Sequence, residues 1–260
     1  NAALVNDYRS NFRRAKISWY SIDNLFFRNN NLTPNHIKAD QQMQSNHFMR
    51  EVRQDEVFPN VQIPTGVPPT LNTFDIAFFP KERGPYNFNV NGLDDNGLLT
   101  NPEQSWGGIM RRMDQTNFEA NNIQYIEFWL MDPFAEDSEG EMEGGDMYIN
   151  LGNLSEDILK DGLKAYENGL PADGNLENNP RIEETAWGYL PQTDPINYAF
   201  DNDPDSRPNQ DVGLDGMDNE NERAFFDSAF LQPLAQRFGT NSPIYRALAS
   251  DPAADDYQFY

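Results

Sequence analysis

The apolar residues of this chain fall into short blocks separated by Asn, Gly and Pro, and that spacing constrains the fold more than any other feature. With 17 Gly and 18 Pro in 260 residues, turns recur too often for long helices. Short apolar blocks between turn signals mark a β-rich domain. Ala15, Ile17 and Trp19 alternate with Lys16, Ser18 and Tyr20, which predicts a half-buried strand. Phe74, Ile76 and Phe78 alternate with Thr73, Asp75 and Ala77, and Pro80 is expected to stop that ladder. The stretch 123–131 (IQYIEFWLM) is apolar on both parities. It predicts a central strand covered on both faces, with Ile126, Phe128, Trp129 and Leu130 buried. Met147, Ile149 and Leu151 alternate with Tyr148 and Asn150, and Arg83-Gly84-Pro85-Tyr86-Asn87 reads as a turn.

Helices are expected to be few and peripheral. Ser155, followed by Glu156 and Asp157, suits a helix start that Gly169 would end. A second spans 220–231, with Phe225, Phe226, Ala229 and Phe230 on one side and Pro233 as terminator. Ser242-Pro243 opens a short helix through Leu248, and Thr33-Pro34 is a weaker helix start. The fold class predicted is mainly β: a jelly-roll-like β-sandwich with long Asn/Asp-rich loops. Its core lies at about 70–200, with an Asp-rich loop and helices over 201–260.

Charge narrows the function. Nineteen Lys and Arg face 42 Asp and Glu, a formal net charge of −23. Nucleic acid and anionic lipid are poor partners for such a surface, because both require phosphates to be neutralised. There is no Cys and there are two His, His36 and His47, so thiolate chemistry is excluded and imidazole chemistry has little scope. No apolar run is long enough for a membrane-spanning helix. The first residues lack the apolar core of a signal peptide, as expected for the interior of a longer chain.

Two acidic segments remain. Asp132 to Asp146 reads as a solvated loop. Phe200 to Glu222 (FDNDPDSRPNQDVGLDGMDNENE) is more specific: Asp201, Asp203 and Asp205 alternate, and Asp211, Asp215 and Asp218 follow. Alternating Asp in a turn lets carboxylates converge on a hard cation, and calcium takes six to eight oxygens. The EF-hand pattern fails, since Ser206 and Val212 stand where it needs Gly and Glu. The likeness to Asp-rich thrombospondin type 3 repeats is partial. The segment is therefore either a structural Ca2+ loop using Asp201, Asp203, Asp205, Asp211 and Asp215, or a hydrogen-bonded acidic loop.

Catalysis finds little support. Glu127 is the one acid placed for burial, with Arg111 or Arg112 as its expected partner, and no second acid has a comparable context. There is no GxSxG elbow, and Gly107-Gly108 is not followed by a phosphate-loop pattern. Trp19, Trp106, Trp129 and Trp187 sit in apolar blocks and are expected in the core. No enzyme activity is predicted.

Several stretches carry a family likeness. WGGIMRR at 106–112, DQTNFEANNIQYIEFWLMDPF at 114–134 and GGDMYINLGNLSEDILKDG at 144–162 resemble the SprA family, called Sov in oral relatives. So do ERGPYN at 82–87, ENGLP at 167–171 and FDNDPDSRPNQDVGLDG at 200–216, all in the family's order. That family supplies gliding-motility proteins and the outer-membrane translocon of the type IX secretion system of Bacteroidota. The resemblance implies one soluble inserted domain, 1–260, of a larger protein whose flanking parts form a transmembrane β-barrel. It implies a non-enzymatic structural or gating role at the outer membrane, on the cell surface or the periplasmic side. Secreted cargo and accessory subunits would be the partners. A looser likeness of the 118–129 and 146–152 stretches to carbohydrate-binding jelly rolls implies the alternative, a calcium-stabilised sugar-binding β-sandwich.

Overall fold

The computed structural model describes residues 8–48, 50–110, 113, 117–135, 144–152, 170–176, 179–184, 189–191 and 200–257. In chain order its elements are β1 (Ala15–Tyr20), α1 (Asn35–Lys38), α2 (Gln41–Gln44), β2 (Val52–Arg53), α3 (Gln54–Val57), β3 (Thr70–Leu71) and β4 (Asp75–Arg83). There follow β5 (Ile182–Glu184), β6 (Tyr189–Pro191), α4 (Asn219–Phe225), a π-helical turn (Asp227–Leu231), α5 (Gln232–Phe238) and α6 (Pro243–Ser250). Among the described residues the strands form three two-stranded sheets, β1 with β4, β2 with β3 and β5 with β6.

This is not a jelly-roll sandwich. A sandwich needs two sheets facing one another across a core, and no described sheet exceeds two strands. The alternating segments do become strands at β1 and β4, but their apolar sides are covered only in part: Ala15 is buried and Ile17 half-buried, while Trp19 is 60 % exposed and Ile76 and Phe78 are also exposed. β4 runs straight through Pro80. A two-stranded ribbon leaves each strand with an open edge, where a missing N–H costs nothing. The expected central strand does not form: 123–131 lie outside any described strand. Trp129 is 73 % exposed and Leu130 71 %, with Ile126 and Phe128 exposed beside them. Met147, Tyr148, Ile149 and Leu151 are likewise exposed and outside any strand. Trp106 is also exposed, so three of the four tryptophans lie outside a core; Trp187 falls outside the described residues.

The chain divides into two compact units, one of Asn1–Ile17, Phe78–Gly108 and Leu151–Tyr260, the other of Ser18–Ala77 and Ile109–Asn150. The first holds the core. Phe88 stacks on Phe226 with ring centroids 4.2 Å apart and meets Phe230 edge-on at 5.6 Å. Leu93, Leu231, Leu234 and Met217 close around them. α4 ends at a bend at Phe226, after which the π-helical turn runs directly into α5, so Pro233 sits in the first turn of α5 instead of ending the helix before it. Proline suits a first turn, where its missing N–H would have no partner anyway. The Arg237 guanidinium, in the last turn of α5, donates to the carbonyls of Val90 (2.8 Å) and Leu93. Ser242 caps α6 by accepting from the Tyr245 amide at 3.0 Å, as its Ser-Pro start predicts.

The second unit has a thin interior. Val52 is its one buried apolar residue among those described. Its short elements are tied by polar contacts, such as the Arg50–Glu56 ion pair and Thr33 Oγ1 donating to the carbonyls of Leu25 and Arg28. Exposed ion pairs contribute at most about 1 kcal/mol each. Local stability should therefore differ sharply between the units. In hydrogen–deuterium exchange of the isolated chain, amides 124–130 and 146–150 should exchange near the unprotected rate while those of 226–238 stay protected. Strong protection across 124–130 would contradict the exposed arrangement. The expected helix from Ser155 to Gly169 and the acidic stretch 136–143 lie outside the described residues.

Candidate metal centre

Three segments of the first unit converge on a buried acidic cluster. The loop 212–218 turns tightly because Gly213 (φ +55°) and Gly216 (φ +77°) adopt left-handed backbone, with the Gly216 amide donating to Val212 O at 3.0 Å. A Cβ at Gly213 would overlap the Asp255 carboxylate, so the loop approaches that close only with glycine. This places Asp215 inward, 2 % exposed, with Oδ1 accepting from the Met217 amide at 2.9 Å. Asp218 then caps α4 by accepting from the amides of Glu220 (3.1 Å) and Asn221 (2.8 Å). One turn on, Glu222 points inward, 1 % exposed.

The third segment is 251–257. Its backbone is held by the Glu222 carboxylate, which accepts from the Ala253 amide at 3.0 Å. The Tyr86 amide donates to Ala253 O at 2.7 Å, and the buried Arg83 donates to the carbonyls of Pro252 (2.7 Å) and Asp251 (3.0 Å). Asp255 reaches the same interior and accepts from the Tyr86 hydroxyl at 2.5 Å. That hydroxyl in turn accepts from the Leu214 amide at 2.6 Å. Tyr86 sits in the turn that Gly84-Pro85 predicts, itself at φ +59°.

One carboxylate oxygen each from Asp215, Glu222 and Asp255 lie within 4.8 Å of one another, and Asp251, Asp255 and Asp256 form a second such group. These acidic groups could hold a metal ion. Burial raises the pKa of Asp215, with the Asp255 charge adding to it, and burial followed by the Asp255 charge does the same to Glu222. Asp255 is raised chiefly by burial, against the hydrogen bond from Tyr86. Burial also pulls the Arg83 guanidinium down to about 10, outweighing the nearby Asp251 and Glu222 charges. Its described hydrogen bonds go to backbone carbonyls and not to the carboxylates.

Of the sequence candidates, the structure brings Asp215 alone into such a group. Asp201, Asp203 and Asp205 are exposed, and the Oδ1 atoms of Asp201 and Asp203 accept from the amides of Asp203 (2.8 Å) and Asp205 (3.1 Å). Asp211 accepts from the Tyr257 amide at 2.8 Å. Local turn formation, in other words, takes up carboxylates that alternation would aim at an ion. Glu222, Asp255 and Tyr86 escape sequence reasoning because each comes from a different part of the chain. The one legible hint is Glu222 one turn beyond a capping Asp218. Glu127, the acid expected to be buried, is exposed, because the strand meant to bury it does not form; Arg111 and Arg112 lie outside the described residues. Comparison with protein-family models finds no match, and comparison with curated proteins finds none either.

Proposed function

We propose that this chain is a non-catalytic segment of the outer-membrane translocon of type IX secretion, with a structural or gating role in export and gliding motility at the cell surface. The reading starts from the ordered motifs that resemble the SprA family. One structural observation carries it further: two of the stretches that carry the likeness, 114–134 and 144–162, contain the apolar runs left exposed and outside any described strand at 124–130 and 147–151. Apolar blocks of that size on a protein surface mark contact with other protein. A flanking transmembrane β-barrel, accessory subunits or cargo would supply the cover. The −23 charge favours basic partners and disfavours acidic ones. No helix among the described residues is long and apolar enough to cross a membrane.

Calcium is the cation this reading assigns to the acidic groups, in a structural role, because the donors are all carboxylates. The exposed Trp129 and Trp19 are what a sugar-binding reading would need. Each is instead in contact with a phenylalanine, Phe58 and Phe74 respectively, and the described residues form no sandwich of the kind that reading presumes.

The test is Trp129→Glu combined with Tyr148→Glu in the full-length protein. Secretion should be lost while the isolated chain keeps its unfolding midpoint, since both side chains are largely exposed. Normal secretion in cells that carry the doubly substituted protein would overturn the role.

A further inference from the structure

We propose that Asp215, Glu222 and Asp255 together hold one calcium ion that ties the segment 251–257 to the loop 212–218. The proposal deepens the structural-calcium part of the reading above and does not depend on the translocon role. It moves the ion from the exposed aspartates of the loop to an interior group that no linear motif defines.

Three observations support it. First, the three ligand oxygens lie within 4.8 Å of one another, no farther apart than two Ca–O bonds of ~2.4 Å can span. Second, Asp215 Oδ2 is buried and has no hydrogen-bond partner, although the residue is 2 % exposed. Its sister oxygen is taken by the Met217 amide. Buried polar atoms nearly always have a partner, and a shared proton between Glu222 and Asp255 would leave this one still unserved. A cation bound to Oδ2 satisfies it and neutralises its neighbours at once. Third, charge within the cluster is unbalanced. Arg83 is the nearby buried cation, and its Nη1 and Nη2 groups donate to the carbonyls of Asn87, Asp251 and Pro252 and not to the three carboxylates. Three carboxylates so close in a dry interior either take up protons or gather around a positive charge, and a bound cation displaces those protons.

The donor set selects the ion. Oxygen donors exclude the thiolate and imidazole sites that zinc favours. Carboxylates that bind through one or both oxygens, on two loops and one helix, suit the irregular shell of calcium better than the strict octahedron of magnesium. The consequence is mechanical: Asp255 and Asp215 sit 40 residues apart in sequence, and a shared ion would lock the last described segment onto the core.

The chain is stripped with EDTA and titrated with calcium in a calorimeter, with terbium as a luminescent substitute excited through tyrosine. One ion per chain should bind, the melting temperature should climb with calcium concentration, and magnesium should act more weakly. Asp215→Asn and Glu222→Gln should each weaken binding by at least ~10-fold. Asp203→Asn and Asp205→Asn should leave it unchanged. Tyr86→Phe keeps the ring in the core and should dim the terbium emission, because the Tyr86 hydroxyl touches Asp255; this arm decides the matter if Asp215→Asn does not fold. Binding lost in Asp203→Asn or Asp205→Asn, or terbium emission unchanged in Tyr86→Phe, would overturn this site and leave structural calcium elsewhere. No calcium binding at all would overturn both.

Discussion

Phe226→Ala should destabilise the first unit by about 3–5 kcal/mol, the range for removing a fully buried aromatic. Phe226 is 1 % exposed, stacks on Phe88 at 4.2 Å and meets Tyr8 edge-on at 5.8 Å. Truncation removes the ring and leaves a cavity that Phe88 and Phe230 can fill only by leaving their own contacts. Domains are typically stable by about 5–15 kcal/mol, so much of the unit's stability would be lost. Urea denaturation followed by circular dichroism measures this as a fall in midpoint. Trp129→Ala is the control: its ring is mostly in solvent, and the change should be about 0.5 kcal/mol or less. A large Trp129→Ala effect with a small Phe226→Ala effect would place the core where the sequence alone suggested it.

Gly213→Ala should rank with it in severity. At φ +55° an L-residue is strained by about 1–2 kcal/mol. The added methyl would also overlap the carboxylate of Asp255, which is pinned by the Tyr86 hydroxyl. Neither partner can give way cheaply, because Leu214 donates to that same hydroxyl. The expected total is about 3 kcal/mol or more, together with loss of the calcium-dependent stabilisation proposed above. Gly66→Ala is the comparison. It shares positive φ, at +90°, but a Cβ there meets nothing within 4 Å. It should lose the backbone part alone. Equal effects at the two glycines would show that the Asp255 contact contributes nothing.

Local signals in this chain were legible wherever neighbouring residues decide the outcome. The β1 segment, the Gly84-Pro85 turn and the Ser242-Pro243 helix start all follow from side-chain alternation, fixed proline φ and a capping hydroxyl. Each needs only a few consecutive residues. The start of the 220–231 helix was legible for the same reason, but its continuation through Pro233 was not. Proline breaks a helix or opens one according to where the preceding turn ends, and here a π-helical turn shifts that point.

What the sequence by itself determined is backbone conformation over short spans, the exclusion of thiol chemistry and a surface charge of −23. What only the tertiary structure decided is which apolar runs are covered and which acids meet. Apolarity on both parities at 123–131 shows that the segment calls for cover, but burial is a property of the partner, and no described strand pairs with that run. Likewise, spacing pointed to Asp201, Asp203 and Asp205, whose local turns absorb their oxygens. Asp215, Glu222 and Asp255 are brought together by two left-handed glycines, a helix cap and a tyrosine from 128 residues before Leu214. Convergence of that kind depends on chain path, and chain path is written in long-range packing, which no window of consecutive residues contains.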